Sequence, residues 1–147
     1  MTTIRKSALV PYSADAMFAL VADVEAYPEF LPWCGGARLL SKDEDTMTAS
    51  IEIAYGGIRK TFTTRNRFQP GKMMELRLVE GPFKHLHGYW LFQALDEHAC
   101  KVSFDIEFEF SNRLVKMALG PIFETIASEL VDQFHRRARA LYGEGRG

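Results

Sequence analysis

At 147 residues the chain is expected to form one domain, spanning 1–147, that buries roughly 68–70% of its unfolded surface. A net charge of −1 excludes a global basic field that would attract nucleic acid or anionic lipid, and two cysteines, Cys34 and Cys100, exclude a disulfide framework. Apolar residues make up 47% and charged residues 25%, as in soluble globular proteins, and no apolar run nears the ~20 residues of a membrane span.

Met1 to Lys6 lead into no signal-peptide apolar region, so the expected location is cytoplasmic, with reduced thiols. Residues 2–10 read as a first strand ended by Pro11. Ser13 is placed to cap a short helix, and Asp15 in its first turn suits the helix dipole. Met17, Phe18, Leu20, Val21 and Val24 give that helix an apolar face. Tyr27-Pro28-Glu29-Phe30-Leu31-Pro32-Trp33-Cys34 follows, with room for a further helical turn. Its two prolines stop a longer helix, and loops run over the surface because their backbone needs water. Tyr, Phe, Leu and Trp in such a segment must cover something apolar: the core, a ligand or a membrane.

From Ala37 to Phe110 the chain reads as strands joined by short turns. Gly56-Gly57 is a hairpin signal, because both central positions of a type I′ turn need positive φ. That turn sets Ile51 opposite Phe62. Phe62, Thr64, Asn66 and Phe68 alternate with Thr61, Thr63, Arg65 and Arg67. Pro70-Gly71-Lys72 turns into Met74, Leu76 and Leu78, with Glu75 and Arg77 facing away. Val102, Phe104, Ile106, Phe108 and Phe110 alternate with Ser103, Asp105, Glu107 and Glu109. Strict alternation means one buried and one wet face, as in an antiparallel meander. On the wet face, Arg65, Arg67 and Arg77 are expected to balance Asp105, Glu107 and Glu109 across strands.

Beyond about Asn112 the period changes. Val115, Leu119, Ile122, Phe123, Ile126, Leu130, Phe134, Ala138 and Leu141 recur at three- and four-residue steps up to Tyr142. This is a long amphipathic helix with Gly120-Pro121 as a kink or restart, followed by a frayed tail at 143–147. Its stripe must lie across the apolar face of the sheet. The expected fold is α+β: a curved antiparallel sheet of about seven strands, two short helices after the first strand, and a long C-terminal helix in its grip. Such curvature leaves room for an aromatic-lined hollow, although the same residues also suit a filled core.

Three separated motifs carry a family resemblance: Tyr27-Pro28-x-Phe30-Leu31-Pro32-Trp33-Cys34, then Gly81-Pro82-Phe83-x-x-Leu86-x-Gly88-x-Trp90, then Ala127-x-x-Leu130-Val131-x-x-Phe134-x-x-Arg137-Ala138 with Leu141-Tyr142-Gly143. The chain resembles the START-like, helix-grip superfamily, and within it the branch of coenzyme-Q-binding proteins and the bacterial ribosome-association toxin. The resemblance covers Ile4 to about Gly143. It implies a pocket for ubiquinone or a related prenyl lipid between sheet and long helix, a quinone chaperone in support of respiration, and transient contact with the inner membrane surface. Its alternative implication is a toxin of a toxin–antitoxin pair that blocks ribosomal subunit association. Members also carry the label polyketide cyclase, which implies an enzyme.

The candidate pocket wall is Phe62, Phe104, Ile106 and Phe108 from the sheet with Ile122, Phe123, Ile126 and Leu130 from the helix, since an apolar cavity with few polar groups suits a prenylated quinone. Leu86 and Trp90 of the second motif join this candidate set. Asn66, on the inward parity, offers a hydrogen bond either to a quinone carbonyl or to a nearby backbone group. Phe30, Leu31, Pro32 and Trp33 would form one lip and Gly81-Pro82-Phe83 the other, unless the segment simply closes over its own core. A prenyl tail starts in lipid, so little of the usual ~0.8 kcal/mol per buried CH₂ is gained, which favours a presenter over a tight store.

Catalysis finds little support. His85 and His87 share one side of a strand but complete no zinc set, and neither HExxH nor CxxC accompanies them. His98 lies in a turn and His135 on the helix border. The sequence offers no Ser elbow, phosphate-cradling Gly loop or inward carboxylate pair, so no enzyme, cofactor or metal is expected. For the toxin alternative, Arg136, Arg137 and Arg139 are the cluster placed to meet phosphates of a ribosomal subunit.

Overall fold

The computed structural model describes residues 1–143. Strand β1 (Thr2–Val10) is followed by α1 (Ala14–Ala22) and a 3-10 helix (Val24–Glu29). Six strands come next: β2 (Cys34–Lys42), β3 (Thr46–Tyr55), β4 (Ile58–Gln69), β5 (Met73–Glu80), β6 (Phe83–Asp96) and β7 (Ala99–Phe110). Helix α2 (Arg113–Tyr142) ends the described chain. The seven strands form one antiparallel sheet in the order β1-β7-β6-β5-β4-β3-β2, so β1 returns to pair with the last strand. This is the expected architecture; the second strand merely begins at Cys34, earlier than Ala37.

Local chemistry sets the boundaries. Ser13 Oγ accepts from the Ala16 N–H at 3.0 Å, capping α1. Gly56 and Gly57 take φ values of 57° and 84°, and the turn they make pairs Ile51 with Phe62. Asn112 caps α2 by accepting from the Val115 N–H at 2.9 Å.

Gly120-Pro121 does not interrupt α2, which runs unbroken as 30 residues, roughly 45 Å. Pro121 lies on the exposed side, while the buried stripe of Leu119, Phe123, Ile126, Ala127, Val131, Phe134 and Ala138 continues past it. Packing of that stripe offsets the one backbone bond the proline removes. Leu141 departs from the expected stripe and is exposed. Gly143 is held, not frayed: its N–H reaches Arg139 O at 2.9 Å, and Tyr12 Oη donates to its carbonyl. The rest of the expected frayed tail, 144–147, lies outside the described residues. No helix among the described residues is long and apolar enough to cross a membrane.

Both helices sit on the same side of the sheet. Phe18 of α1 packs on Phe68 and Phe92, and Phe123 of α2 packs on Phe62, Phe83 and Phe108. The opposite face carries no element among the described residues and divides by charge. Asp105, Glu107 and Glu109 stand on β7, but Arg65, Arg67 and Arg77 stand on β4 and β5, with β6 between. The expected cross-strand balance is therefore not made. Two of the three β7 acids meet β6 partners instead: Glu107 lies 3.1 Å from His85 Nε2, and Glu109 lies 3.4 Å from Lys84 Nζ. Glu75 is 2.9 Å from His87 Nε2 and 3.2 Å from Arg77.

That setting holds the Glu75 carboxyl below its ordinary 4.5, mainly through the His87 hydrogen bond, with Arg77 adding to it against partial desolvation. A depressed carboxylate value means the unfolded chain takes up the proton first as pH falls. The stability Glu75 contributes is thus present above about 4.5 and lost as pH drops through the lower folded value. Glu75→Gln should flatten the acid limb of the stability curve and leave neutral-pH unfolding cooperative, as read by urea midpoints from neutral to strongly acidic pH.

Candidate functional site

The inward residues of β3 to β7 face α2 across a hollow of about 70 Å³. Its wall is almost wholly apolar. Phe62, Leu86, Trp90, Phe104 and Ile106 of the candidate set line it from the sheet, and Phe123, Ile126 and Leu130 from α2, while Trp33, expected on a lip, lines it from the segment before β2. Asn66 also lines it. Sequence reasoning missed Val24, Tyr27, Ala49, Ile51, Ile53, Thr64, Leu76, Ala127 and Phe134. The Ile51–Phe62 pairing was the signal for Ile51 and Ile53, since a residue opposite an inward Phe must itself point inward. Phe134 stands on the helix stripe that the three- and four-residue spacing already shows.

Five anticipated residues lie elsewhere. Phe83 and Phe108 pack with Phe110 and Phe123 into a solid aromatic cluster, with centroids 4.8 to 6.3 Å apart, which closes that end. Ile122 lies on the outer side of α2, in a surface groove of about 480 Å³ with Pro32, Tyr55, Pro121 and Gln133. Phe30 and Leu31 line a separate groove with Arg136 and Arg137. Trp33 and Ile126 belong to both the hollow and the first groove, so these two side chains are the partition between inside and outside.

The expected apolar lips are closed, not exposed. Leu31, Trp33 and Phe83 are 1%, 6% and 5% exposed, and of the first lip only Pro32 is open to water. Sequence shows that this segment needs an apolar partner, and the partner is α2. Phe134 sits edge-on to Tyr27 and Phe30, at 5.4 and 5.3 Å, and to Trp90 at 5.4 Å. Trp33 Nε1 donates to Gln133 Oε1 at 3.3 Å. Arg137 lies 4.8 Å over the Phe30 ring and bonds Glu29 at 3.1 Å. The cluster expected to meet phosphates therefore loses Arg137 to a structural contact.

Polar groups in the hollow are few. Asn66 Oδ1 accepts from Thr64 Oγ1 at 2.8 Å, and its amide meets only the Met74 sulfur at 3.8 Å, a weak acceptor. Neither partner is backbone. Tyr27 donates to Val21 O, and burial pushes its phenol well up. Burial also raises the Cys34 thiol and pushes Cys100 up to about 11, so both resist becoming thiolate nucleophiles at neutral pH. His85 and His87 stand on the outer face, and no group of three side chains set to hold a metal ion occurs among the described residues.

A seven-stranded antiparallel sheet curled about one long helix, with an apolar hollow between them, defines a helix-grip, START-like protein. Residues 10–135 match the family described as polyketide cyclase / dehydrase and lipid transport, and the chain belongs to that family. The ribosome association toxin RatA of Pseudomonas aeruginosa is 49% identical over 142 residues, covering 97% of this chain and 99% of that protein. The mitochondrial coenzyme Q-binding protein COQ10 homolog B of Xenopus laevis is 25% identical, covering 94% of this chain and 58% of that one. Among solved structures, the Zhui aromatase/cyclase of Streptomyces sp. R1128 superposes with a TM-score of 0.83 at 16% identity, over 99% of each chain.

Gly81 marks how tightly the closed end is built. Its φ is 150°, and a Cβ there would stand 2.6 Å from Phe62 Cβ. Gly81→Ala should lower stability by more than about 1 kcal/mol, read as a lower urea midpoint at unchanged slope.

Proposed function

We propose that the chain is a ribosome association toxin that acts in the cytoplasm by blocking the joining of ribosomal subunits. The observation that carries this reading is the 49% identity, over nearly the whole of both chains, to a protein so named. The site's geometry supports it by default of the alternatives. At about 70 Å³ the hollow holds a few waters, whereas pockets for drug-sized ligands run from about 300 to 1,000 Å³. The proposal assigns no catalysis: the hollow's polar lining is Thr64, Asn66 and the engaged phenol of Tyr27, none of them an acid or base for neutral pH. Production of the protein in bacterial cells, followed by sucrose-gradient profiling, should show free subunits growing at the expense of intact ribosomes. An unchanged profile overturns the reading.

A second reading is favoured by one specific observation, the apolar hollow with a single under-used amide. Asn66 has donor capacity facing only a thioether, which suits a quinone carbonyl. On this reading the protein presents ubiquinone or a similar prenyl lipid, as the name of the COQ10 relative suggests. Admission of such a guest requires Trp33 and Ile126 to part, joining the hollow to the larger groove outside. Mass spectrometry of an organic extract of freshly purified protein should then find quinone, and Asn66→Leu should reduce it. Extracts that never contain prenyl lipid rule the second reading out.

A further inference from the structure

The outer face of the sheet over β2 to β5 is built in a way that folding alone does not favour. Arg65 on β4 stands directly opposite Arg77 on β5, and like charges in that relation repel. Arg67, two residues along, stands opposite Glu75, the obvious acid to balance it. Yet Glu75 is turned to His87 and Arg77, at 2.9 and 3.2 Å. Among the described residues, no carboxylate lies within ion-pairing distance of Arg38, Arg65 or Arg67. Of the other acids of the face, Glu52 is already held by Arg59 at 2.9 Å, and Glu80 stands opposite Thr63.

Between these arginines the side chains are hydroxyls. Thr48 lies opposite Arg65, Thr46 opposite Arg67, and Ser50 opposite both Arg38 and Thr63. The exposed large apolar side chains of β2 to β5 lie off the centre of the face, with Leu39 and Leu40 on the edge strand β2 and Val79 at the irregularity between β4 and β5, while Tyr55 lines the groove beside α2. No helix among the described residues covers this side. An acidic turn, Asp43-Glu44-Asp45, bounds the patch beside Arg67, and the β7 carboxylates bound it beyond β6. Three arginines without a carboxylate partner, Arg38, Arg65 and Arg67, thus share one half of one open face in a chain of net charge −1.

From this we infer that the outer face of β2–β5, through Arg38, Arg65, Arg67 and Arg77 with their interleaved threonines and serine, is a docking surface for the phosphate backbone of structured RNA. Guanidinium groups bind phosphate with fixed geometry. Residues two apart on a strand lie about 6.6 Å from each other, and neighbouring strands about 4.8 Å apart, which lets the set track successive phosphates. Hydroxyls add contacts to phosphate and ribose, as expected of recognition by shape in place of base sequence. A lipid surface fits less well, because the centre of the face has no apolar side chain to insert. The inference deepens the ribosome reading, on which its choice of RNA over other polyanions rests. It also moves the contact away from Arg136 and Arg137 on α2.

The test compares the full-length protein with the double variant Arg65→Thr, Arg67→Thr. Binding is measured by fluorescence anisotropy, across a series of salt concentrations, to purified large and small ribosomal subunits and separately to a free double-stranded RNA hairpin. Loss of two phosphate contacts should weaken binding about tenfold or more and lower the slope of log affinity against log salt by about two. The thermal midpoint should not fall, since the variant removes a like-charge pair and adds β-branched residues. Subunit binding unchanged in the double variant overturns the surface and leaves the ribosome reading standing. Hairpin binding that depends on these arginines, without binding to either subunit, upholds the surface and overturns the ribosome reading. Failure of the wild-type chain to bind either RNA, or dependence on these arginines only with phosphatidylglycerol vesicles, overturns the inference.

Discussion

Phe134 is where three separate parts of the chain meet. It lies at the middle of the contact between α2 and the concave face, edge-on to Trp90 of β6 and to Tyr27 and Phe30 of the proline-rich segment. Each such aromatic pair contributes about 0.5–1.5 kcal/mol beyond its buried area. Without that meeting, the segment around Trp33 has nothing apolar to cover and the helix stripe has no third partner. The hollow exists because these rings touch at their edges and so bridge sheet and helix without filling the space between them.

The fold was legible because strands such as β4 and β7 repeat with period two and the helix with period three to four. Val102 to Phe110 specify an inner and an outer face without ambiguity, and the Gly56-Gly57 turn fixes the register that brings Ile51 to Phe62. Pro121 misled because a proline's local effect is weighed in the sequence without the packing that overrides it. Residues Leu119 and Phe123, on either side, are both buried, and a continuous stripe is worth more than one backbone bond.

The site was legible only in part, for a geometric reason. Parity says which residues face inward but not how far from the curled edge of the sheet each one stands. Phe108 and Phe104 share a face and a strand, yet Phe104 borders the hollow while Phe108 is sealed into the aromatic cluster with Phe83. The segment around Trp33 shows the same limit: its composition calls for an apolar partner without naming it, and in the fold it packs on α2. Charge pairing failed for a related reason. Arg77 and Glu107 share the wet face, but the order of strands in space sets β6 between them.

The two polar ties that fasten the Trp33 segment to α2 differ greatly in kind from the packing beneath them. Trp33 to Gln133 is a single bond of 3.3 Å, and Arg137 to Glu29 is an ion pair whose acid is largely in water. Interactions of this class hold about 1 kcal/mol each. The molecule is therefore latched at its rim far more lightly than it is welded along its spine, and the rim is the place where it can open and shut many times for every time it comes undone.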